Sequence, residues 1–405
     1  MKKKTSFKTY SQLLDNLRNH GLTISGEKIS REILKTRGYY NLINRYKNDL
    51  YIKGKNEFDE NITTIETLYH FHRMEDDLRN ILFRFTITFE QYLKESMSYA
   101  LASNYGVNPK NYLNPSHFPS RHKKRVLKIL SQISDIQNSS RNPTKYYREN
   151  YDFIPPWILL DNAMFGQTKM LFLIFPKKLK RYVIHQMLPF DLSEYEFENL
   201  KENEIKKLYY ERSTWEKNLP DKIYSKLPRD LSGEKSYEEL YYKLDEVFFE
   251  NITGLPNESK LQSEIDTERI DMFNNMLRAI HNFRNTLAHG ERIVHFSFNH
   301  PLKLDYIKKY TGADFNTSRF KKKNWGNGLF GILLALIVTL DKFDTGLLLK
   351  KLYDWQKDVT QTYTEKKAYK TFIKSCELPE DFITKLSTIR KSLYSTKKDF
   401  GDPGF

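Results

Sequence analysis

The stretch from Arg284 to His289 reads Arg-Asn-Thr-Leu-Ala-His and combines the two residue types that metal-free RNA cleavage requires. A guanidinium can neutralise the charge of a scissile phosphate, and an imidazole can move a proton of the 2'-hydroxyl or of the leaving group near neutral pH. The spacing of one arginine and one histidine is close to what chance supplies in a chain of this composition. The elements that carry these residues must therefore decide whether they form a site.

A helical pattern over residues 263–288 carries this stretch. At about 100° per residue, the side chains of Arg284 and His289 diverge by about 140° on one regular helix, whereas Asn285 and His289 share a face. Arg292 would join that face if the helix continued past Gly290. We expect Asn285 to orient the imidazole, and Arg284 to complete the site through a bend at Gly290 or from a second copy of the chain.

Two other interpretations of this segment stay open. Arg284 and His289 could instead cap the helix end and pair with carboxylates such as Glu291 or Asp271, which is common for surface charges. The three histidines at positions 281, 289 and 295 could bind a metal ion, although no carboxylate completes a recognised ligand spacing. The prediction favours a site without metal or cofactor.

A second polar set lies on the strongest predicted helix, which Thr63 opens with a capping-box pattern and which runs to about residue 103. His72, Arg79 and Glu90 lie within about 20° of one line along this helix. Glu90 stands in an otherwise apolar stretch and needs a partner if it is buried. We expect that partner to be the arginine or the histidine of the first motif; the alternative is an exposed polar stripe.

Length and composition restrict the class of protein. A chain of 405 residues can bury a large core, and its single cysteine, Cys376, excludes an intramolecular disulfide and a cysteine-rich zinc site. The basic start of the chain is not followed by an apolar segment typical of a secretory signal. The longest apolar run, residues 329–340, is too short for a transmembrane helix and predicts a buried core helix. We therefore expect a cytoplasmic protein without membrane contact.

The formal net charge of +15, from 66 basic and 51 acidic residues, indicates attraction to polyanions. Three basic clusters, together with 27 tyrosines and 27 phenylalanines that could stack on unpaired bases, favour RNA over DNA or a membrane as the partner. The alternative is that each cluster is an ordinary solvated face. The candidate RNA-binding residues are Arg121, Lys123, Lys124, Arg125, Lys177, Lys178, Lys180, Arg181, Lys321, Lys322 and Lys323.

Helical periodicity dominates the chain and alternating strand patterns are scarce, so the predicted fold class is all-α. Besides the two helices above, the predicted helices are residues 10–19, 28–36, 122–136, 157–175, 237–249, 329–353 and 381–393. Residues 108–118, 137–156 and 295–318 are predicted as connections, and residues 192–231 as charged and irregular. We predict an N-terminal helical region (1–55), a core with a central insertion (56–295) and a C-terminal helical extension (296–405).

Four stretches in order along the chain resemble the Abi family of phage abortive-infection proteins, the group that contains AbiD and AbiF. They are the Gly-Tyr-Tyr segment within residues 33–42, the helix from Leu68-Tyr69 through Asp77-Leu78-Arg79 to Phe89-Glu90, the Pro156-Trp157 and Phe165-Gly166 element, and Arg284-Asn285 with Ala288-His289 and Arg292. Asp161 stands where the family pattern has glutamate. The resemblance spans about residues 10–292 and is more specific than any single stretch.

The resemblance implies a HEPN-type helical ribonuclease core and phage defence by abortive infection. It implies cleavage without metal, cyclic phosphate and 5'-hydroxyl ends, and a cleft built from two copies of the motif, hence a homodimer. In these terms His289 is the general acid or base, Arg284 stabilises charge, Asn285 orients one of them, and Glu90, Arg79 and Arg292 support the cleft. A structured small RNA could restrain the nuclease. The rival expectations are a noncatalytic RNA-binding scaffold with this fold and a HEPN partner modified by a nucleotidyltransferase.

Overall fold

The structure is a computed structural model that describes residues 6–58, 63–188 and 260–395. The predictions for residues 192–231 and 237–249 lie outside the described residues. Everything described is helix, turn or connection, with isolated bridges in place of strands, so the predicted all-α class is confirmed. Within these residues, none of the helices combines the length and apolar character needed to cross a membrane.

The described α-helices are labelled in chain order. They are α1 Tyr10–Arg18, α2 Glu27–Arg37, α3 Lys47–Leu50, α4 Ile65–Tyr105, α5 Pro109–Tyr112, α6 Lys123–Ser134, α7 Thr144–Asn150, α8 Pro156–Asp161, α9 Phe165–Ile174, α10 Lys177–Met187, α11 Lys260–Ala288, α12 Leu304–Thr311, α13 Thr317–Lys322, α14 Leu329–Thr339, α15 Lys342–Asp358, α16 Tyr363–Ser375 and α17 Phe382–Ser395. A π-helical turn, Tyr40–Asn44, lies between α2 and α3, and 3₁₀ turns at Pro115–His117, Ser120–His122 and Asp135–Asn138 flank α6.

The 41-residue helix α4 is the central element, and its ends follow ordinary capping chemistry. Thr64, one residue after the predicted cap at Thr63, is the N-cap: its hydroxyl accepts from the backbone N–H of Thr67, whose hydroxyl in turn faces the N–H of Thr64. Gly106 ends the helix with φ of +77°, a conformation that glycine adopts without strain. The helix therefore runs two residues further than the sequence predicted.

Helix α4 is buried on more than one side because it packs against helices from every described part of the chain. Its partners include α8, α10, α11, α14, α15 and α16. Leu68, Phe71, Leu82, Phe85 and Phe89 are completely buried in the continuous core around it. Each such side chain contributes about 1.5–3 kcal/mol on burial, so the placement of α4 relative to its neighbours is strongly determined.

Two of the predicted helices are each divided into two shorter helices. Residues 157–175 form α8 and α9, and the break occurs where the amide of Asn162 donates to the Thr144 hydroxyl at 2.7 Å. Residues 329–353 form α14 and the first part of α15, because the Asp341 side chain accepts from the backbone N–H of Asp344 and starts a new helix. The prediction that the apolar run before Asp341 is a buried core helix is confirmed.

Several segments are more helical than the sequence predicted. The stretch 108–118, predicted as a connection, contains α5. The stretch 137–156, predicted as a connection, contains α7, and the loop-rich stretch 295–318 contains α12. Helices α10 and α16 were not predicted at all, although Thr362 and Glu365 form a capping box at the start of α16. These helices are short, and packing against neighbouring elements rather than a long periodic pattern stabilises them.

Candidate active site

Helix α11 carries the Arg284–His289 motif, and its apolar face fixes how the motif is presented. Phe273, Met276, Ile280 and Phe283 are completely buried against the core. The helix packs on α4, α9, α10 and α14. It runs antiparallel to α4, since residue 284 lies beside residue 90 and residue 293 beside residue 75. The polar residues of the motif therefore lie at the border of this buried face.

The end of α11 is a Schellman motif. The backbone N–H of Glu291 donates to the carbonyl of Thr286 at 3.0 Å, and the N–H of Gly290 donates to the carbonyl of Leu287 at 3.1 Å. Gly290 has φ of +65°. His289 still donates its backbone N–H to the Asn285 carbonyl at 3.0 Å, so the helix is regular as far as His289. The chain bends only after the motif, and a bend at Gly290 cannot bring Arg284 and His289 together.

Arg284 pairs with Glu90, and it is one of the two partners that the sequence predicted for this carboxylate. Its Nη2 lies 3.2 Å from Oε2 of Glu90, whose side chain is 8% exposed, and Lys94 Nζ lies 3.1 Å from Oε1 of the same carboxylate. Lys94 also donates to the Asp161 carbonyl at 3.2 Å. The contact with Arg284 is an ion pair without an aligned hydrogen bond. One edge of the guanidinium is thus held, while the side chain remains 26% exposed.

Asn285 contacts His281 rather than His289. The Asn285 amide lies 3.5 Å from His281 Nε2, and Lys169 Nζ lies 3.1 Å from His281 Nδ1. Because an ammonium group only donates, Nδ1 of His281 must accept. Burial lowers the pKa of His281, and the neighbouring charge of Lys169 lowers it further. The predicted role of Asn285 in orienting the His289 imidazole therefore has no contact to support it here.

The imidazole of His289 is exposed and forms no side-chain hydrogen bond or ion pair with the rest of the described chain. Of the two carboxylates named as alternative partners, Asp271 pairs with Lys303, and no ion pair joins Glu291 to His289 within the described residues. The other two histidines of the possible metal site have partners of their own. His281 contacts Lys169, and His295 Nε2 lies 2.5 Å from Asp49 Oδ1. In the described parts of the chain, histidine, cysteine and acidic side chains form no cluster suited to a metal ion.

Arg79, one of the predicted supporting residues, lies beside the carboxylate of Glu75 rather than that of Glu90. Arg79 donates from Nη1 to Asp76 at 2.7 Å, and its Nη2 lies 3.8 Å from Glu75. His72, on the same line of α4, contacts Asp76 and Tyr46. Burial lowers the pKa of His72. The predicted line of three residues therefore divides into an Arg284–Glu90 group and a Glu75 group.

Arg292 does not join the face of Asn285 and His289, because the helix ends at Gly290. It donates to Asp49 at 3.2 Å and its guanidinium stacks over the ring of Tyr46, 5.6 Å from the centroid. Arg292 thus ties the segment after α11 to the N-terminal region. Arg292 and Arg284 therefore contact different side chains, Asp49 and Tyr46 in one case and Glu90 in the other.

Three residues of the N-terminal region, Arg45, Tyr46 and Asp49, make contacts that no pattern in the sequence predicts. Arg45 Nη2 donates to the Gly290 carbonyl at 2.7 Å. The completely buried Glu75 accepts the Tyr46 hydroxyl on one oxygen and the backbone N–H groups of residues 293 and 294 on the other. The helix end that bears His289 is therefore held in place by the N-terminal region.

The three predicted basic clusters differ in how freely they face solvent. Arg121, Lys123, Lys124 and Arg125 are all exposed at the start of α6. In the second cluster, Lys177 and Lys178 are exposed and Arg181 is half-buried. Its fourth member, Lys180, is turned inward, donates to the Leu173 carbonyl at 2.9 Å and has its pKa lowered to about 8 by burial.

The third cluster lies at the end of α13. Lys321 pairs with Asp305 at 2.5 Å, whereas Lys322 and Lys323 are exposed. Lys94, Lys169 and His281 were not among the predicted site residues. The spacing of four residues from Glu90 to Lys94, and from His281 to Asn285, is the signal that could have indicated two of them.

Comparison with known proteins supports part of the sequence resemblance. No curated protein and no solved structure matches the chain. Residues 32–214 match the family model described as Abi-like protein. The matched region contains the Gly-Tyr-Tyr segment, the long helix α4 and the Pro-Trp and Phe-Gly element, and it ends before the Arg284–His289 motif. Over residues 32–214 the chain is therefore similar to Abi-like proteins.

Proposed function

We propose that this chain is an abortive-infection protein of phage defence that acts as a metal-independent RNA endonuclease with a HEPN-type helical core. The Abi-like match over residues 32–214 supports the defence role. The catalytic part rests on one observation: Arg284 is anchored to the nearly buried Glu90, while the exposed His289 stands five residues further along the same helix. An anchored cation and a free imidazole are the two groups that cleavage by internal attack requires.

In the proposed reaction the 2'-hydroxyl oxygen attacks the adjacent phosphorus, and the bond from phosphorus to the 5'-oxygen breaks. The 2'-hydroxyl gives up its proton and the leaving 5'-oxygen takes one, so the products are a 2',3'-cyclic phosphate and a 5'-hydroxyl. His289 serves as the acid or base for one of these transfers. Arg284 stabilises the charge that develops on the phosphoryl oxygens, and Glu90 keeps its guanidinium oriented.

The active unit is a homodimer in this proposal. Arg284 and His289 diverge by about 140° on a helix that is regular through His289, so one copy does not aim both at one phosphate. Two copies related by a twofold axis would place the arginine of one beside the histidine of the other. The exposure of His289 and the partial exposure of Arg284 suit such an arrangement.

The test is RNA cleavage in the presence of EDTA by wild type, Arg284→Ala and His289→Ala. Each substitution should reduce the rate about 100-fold or more, the usual contribution of a general acid or base. Arg278→Ala and His300→Ala, which remove an exposed arginine of α11 and an exposed histidine beyond it, serve as matched controls. Undiminished cleavage by both active-site variants, or loss of wild-type cleavage in EDTA, would overturn the mechanism.

Mixing the two inactive variants tests the dimer separately. A heterodimer of Arg284→Ala and His289→Ala protomers contains one arginine and one histidine, so mixing should restore part of the activity after subunits exchange. Sedimentation should show a dimer for each variant. A monomer with full activity would contradict the shared cleft while leaving the catalytic roles intact.

A noncatalytic RNA-binding scaffold is the second candidate, and the exposed basic cluster Arg121, Lys123, Lys124 and Arg125 favours it. We also propose that a structured small RNA binds the protein and restrains its nuclease activity. Purification followed by sequencing of bound RNA tests the regulatory part. Salt-sensitive RNA binding without cleavage under any condition would establish the scaffold instead.

A further inference from the structure

The C-terminal helices form a groove that none of the predicted sites includes. Two adjoining hollows of about 620 and 460 Å³ meet at Lys370, Ile373 and Glu380. The first extends past the end of α16 towards Trp325. The second lies between α15 and α16 and reaches Tyr353. Since the hollows share lining residues, they form one continuous groove along α16.

A row of lysines on α16 lines the groove. Lys366, Lys370 and Lys374 are spaced by four residues, which places them on one helix face at steps of about 6 Å. All three are exposed, and none forms an ion pair within the described residues. By contrast, Lys321 forms an ion pair with Asp305, and Lys385 forms one with Asp381. The row is therefore a set of free ammonium groups with regular spacing.

The net charge of the groove remains positive when all its lining groups are considered. Arg319, Lys323 and Lys357 add three cations to the row. Glu377 and Glu380 are acidic, while the third carboxylate, Asp381, is paired with a lysine. Six cations thus face two unpaired carboxylates. Such a surface attracts a polyanion.

Aromatic residues stand beside the lysines. Tyr353, at one end of the groove, is 60% exposed, so its ring is accessible to a stacking base. At the other end the guanidinium of Arg319 lies 5.8 Å from the ring centroid of Trp325. An exposed ring beside regularly spaced cations is the combination that holds single-stranded nucleic acid, by stacking a base while the cations follow the backbone.

The C-terminal end of α16 contacts the segment that follows the candidate active site. The backbone N–H of His295 donates to the carbonyl of Ser375, the last residue of α16, at 3.0 Å. His295 belongs to the short segment that follows His289 and Gly290. A strand lying along α16 would therefore lead towards the helix end that bears His289.

We propose that the groove along α16 binds single-stranded RNA, with phosphates on Lys366, Lys370 and Lys374 and one base on Tyr353. This rests on the proposed function for its choice of RNA, and it assigns the C-terminal extension a role in directing RNA to the cleft. Substrate that enters this way is bound by its backbone, so the groove accepts many sequences.

Binding is measured by fluorescence anisotropy with a labelled oligouridine in the His289→Ala background, so that cleavage cannot consume the probe. The groove variant replaces Lys366, Lys370 and Lys374 by glutamine. The control replaces Lys350, Lys351 and Lys367, three exposed lysines of α15 and α16 outside the groove, and removes the same charge. All these side chains are exposed, and circular dichroism verifies that both variants fold.

The groove variant should bind at least about tenfold more weakly, and its slope of log K against log salt should be shallower by about 2, for three lost phosphate contacts at about 0.7 each. The control variant should change binding less than about threefold and leave the slope as it was. Tyr353→Ala should weaken binding about fivefold or more, the lower range for one stacked base, whereas Tyr353→Phe should not.

Equal losses in the groove and control variants would show attraction by total charge alone and overturn the proposal, as would unchanged binding by the groove variant. Tighter binding of single-stranded DNA or of duplex RNA than of the oligouridine would also overturn it. Because binding is measured without cleavage, a positive result stands even if the nuclease proposal fails, and a failed groove leaves the cleavage test untouched.

Discussion

Replacing Glu75 by alanine removes the acceptor that joins three separate parts of the chain. One carboxylate oxygen accepts the backbone N–H groups of Ile293 and Val294 at 2.7 and 3.1 Å, and the other accepts the hydroxyl of Tyr46. The side chain is completely buried. Alanine leaves these donors without a partner in a place that water does not reach, and it leaves a cavity.

Two estimates of the cost agree. Each buried donor left unsatisfied costs about 1–3 kcal/mol, so the two backbone N–H groups alone cost about 2–6 kcal/mol. Removing one member of a buried charged group costs about 3–5 kcal/mol, because Arg45 and Arg79, each 3.8 Å from the carboxylate, lose their counter-charge. We expect Glu75→Ala to lower the free energy of unfolding by about 3–5 kcal/mol. Glu75→Gln, which keeps an acceptor oxygen, should cost less.

The assay is urea unfolding at neutral pH, followed by circular dichroism and by tryptophan fluorescence to establish whether the transition is two-state. Glu95→Ala is the matched control, since Glu95 is an exposed glutamate of the same helix and should change stability by no more than about 0.5 kcal/mol. Hydrogen exchange of residues 291–295 should accelerate in Glu75→Ala. A loss below about 1 kcal/mol, or unchanged exchange in that segment, would refute the reasoning.

Three further outcomes are expected. A double-mutant cycle of Glu90→Gln and Arg284→Gln, measured by urea unfolding, should give a coupling of about 1 kcal/mol or more, since the carboxylate is nearly buried; additive effects would contradict the pair. Burial lowers the pKa of His72 and His281 in the folded state, so the unfolded state takes up protons first as the pH falls. The stability that these two histidines contribute is therefore complete above about pH 6.5 and is lost below it. The melting temperature measured against pH should fall in this range, and it should fall less in His72→Gln. Gly331→Ala should cost about 1–3 kcal/mol, because the new Cβ would lie 2.8 Å from a backbone carbonyl oxygen; a wild-type melting temperature would show that the backbone adjusts freely.

The features predictable from the sequence are those that local pattern determines. The periodicity of α4 and α11, the buried run of α14 and the glycine that ends α11 follow from residues within a few turns of each other. The pairing of Glu90 with Arg284 was predictable for a related reason. A carboxylate in an apolar stretch of helix needs a cation, and the motif supplied one.

The partners of the remaining site residues depend on contacts between distant parts of the chain. Arg292 and Asp49 are 243 residues apart, and Arg45 and Gly290 are 245 residues apart. No periodic pattern connects such positions. Asn285 could reach four residues forward to His289 or four residues back to His281, and helical geometry permits both. The structure places it against His281 because Phe165 and Lys169 of α9 hold that ring beside it.

The two proposed catalytic groups are positioned by different parts of the molecule. Arg284 is held from the side by α4, through Glu90, and the two long helices pack against each other. His289 lies at the helix end, where two contacts hold the chain that follows it. Arg45 donates to the carbonyl of Gly290, and Glu75 accepts from the backbone N–H of Ile293. The rigid part of the site therefore belongs to the helical core. The direction of the imidazole depends on the N-terminal region, so that region can alter the geometry of the site without disturbing the anchored guanidinium.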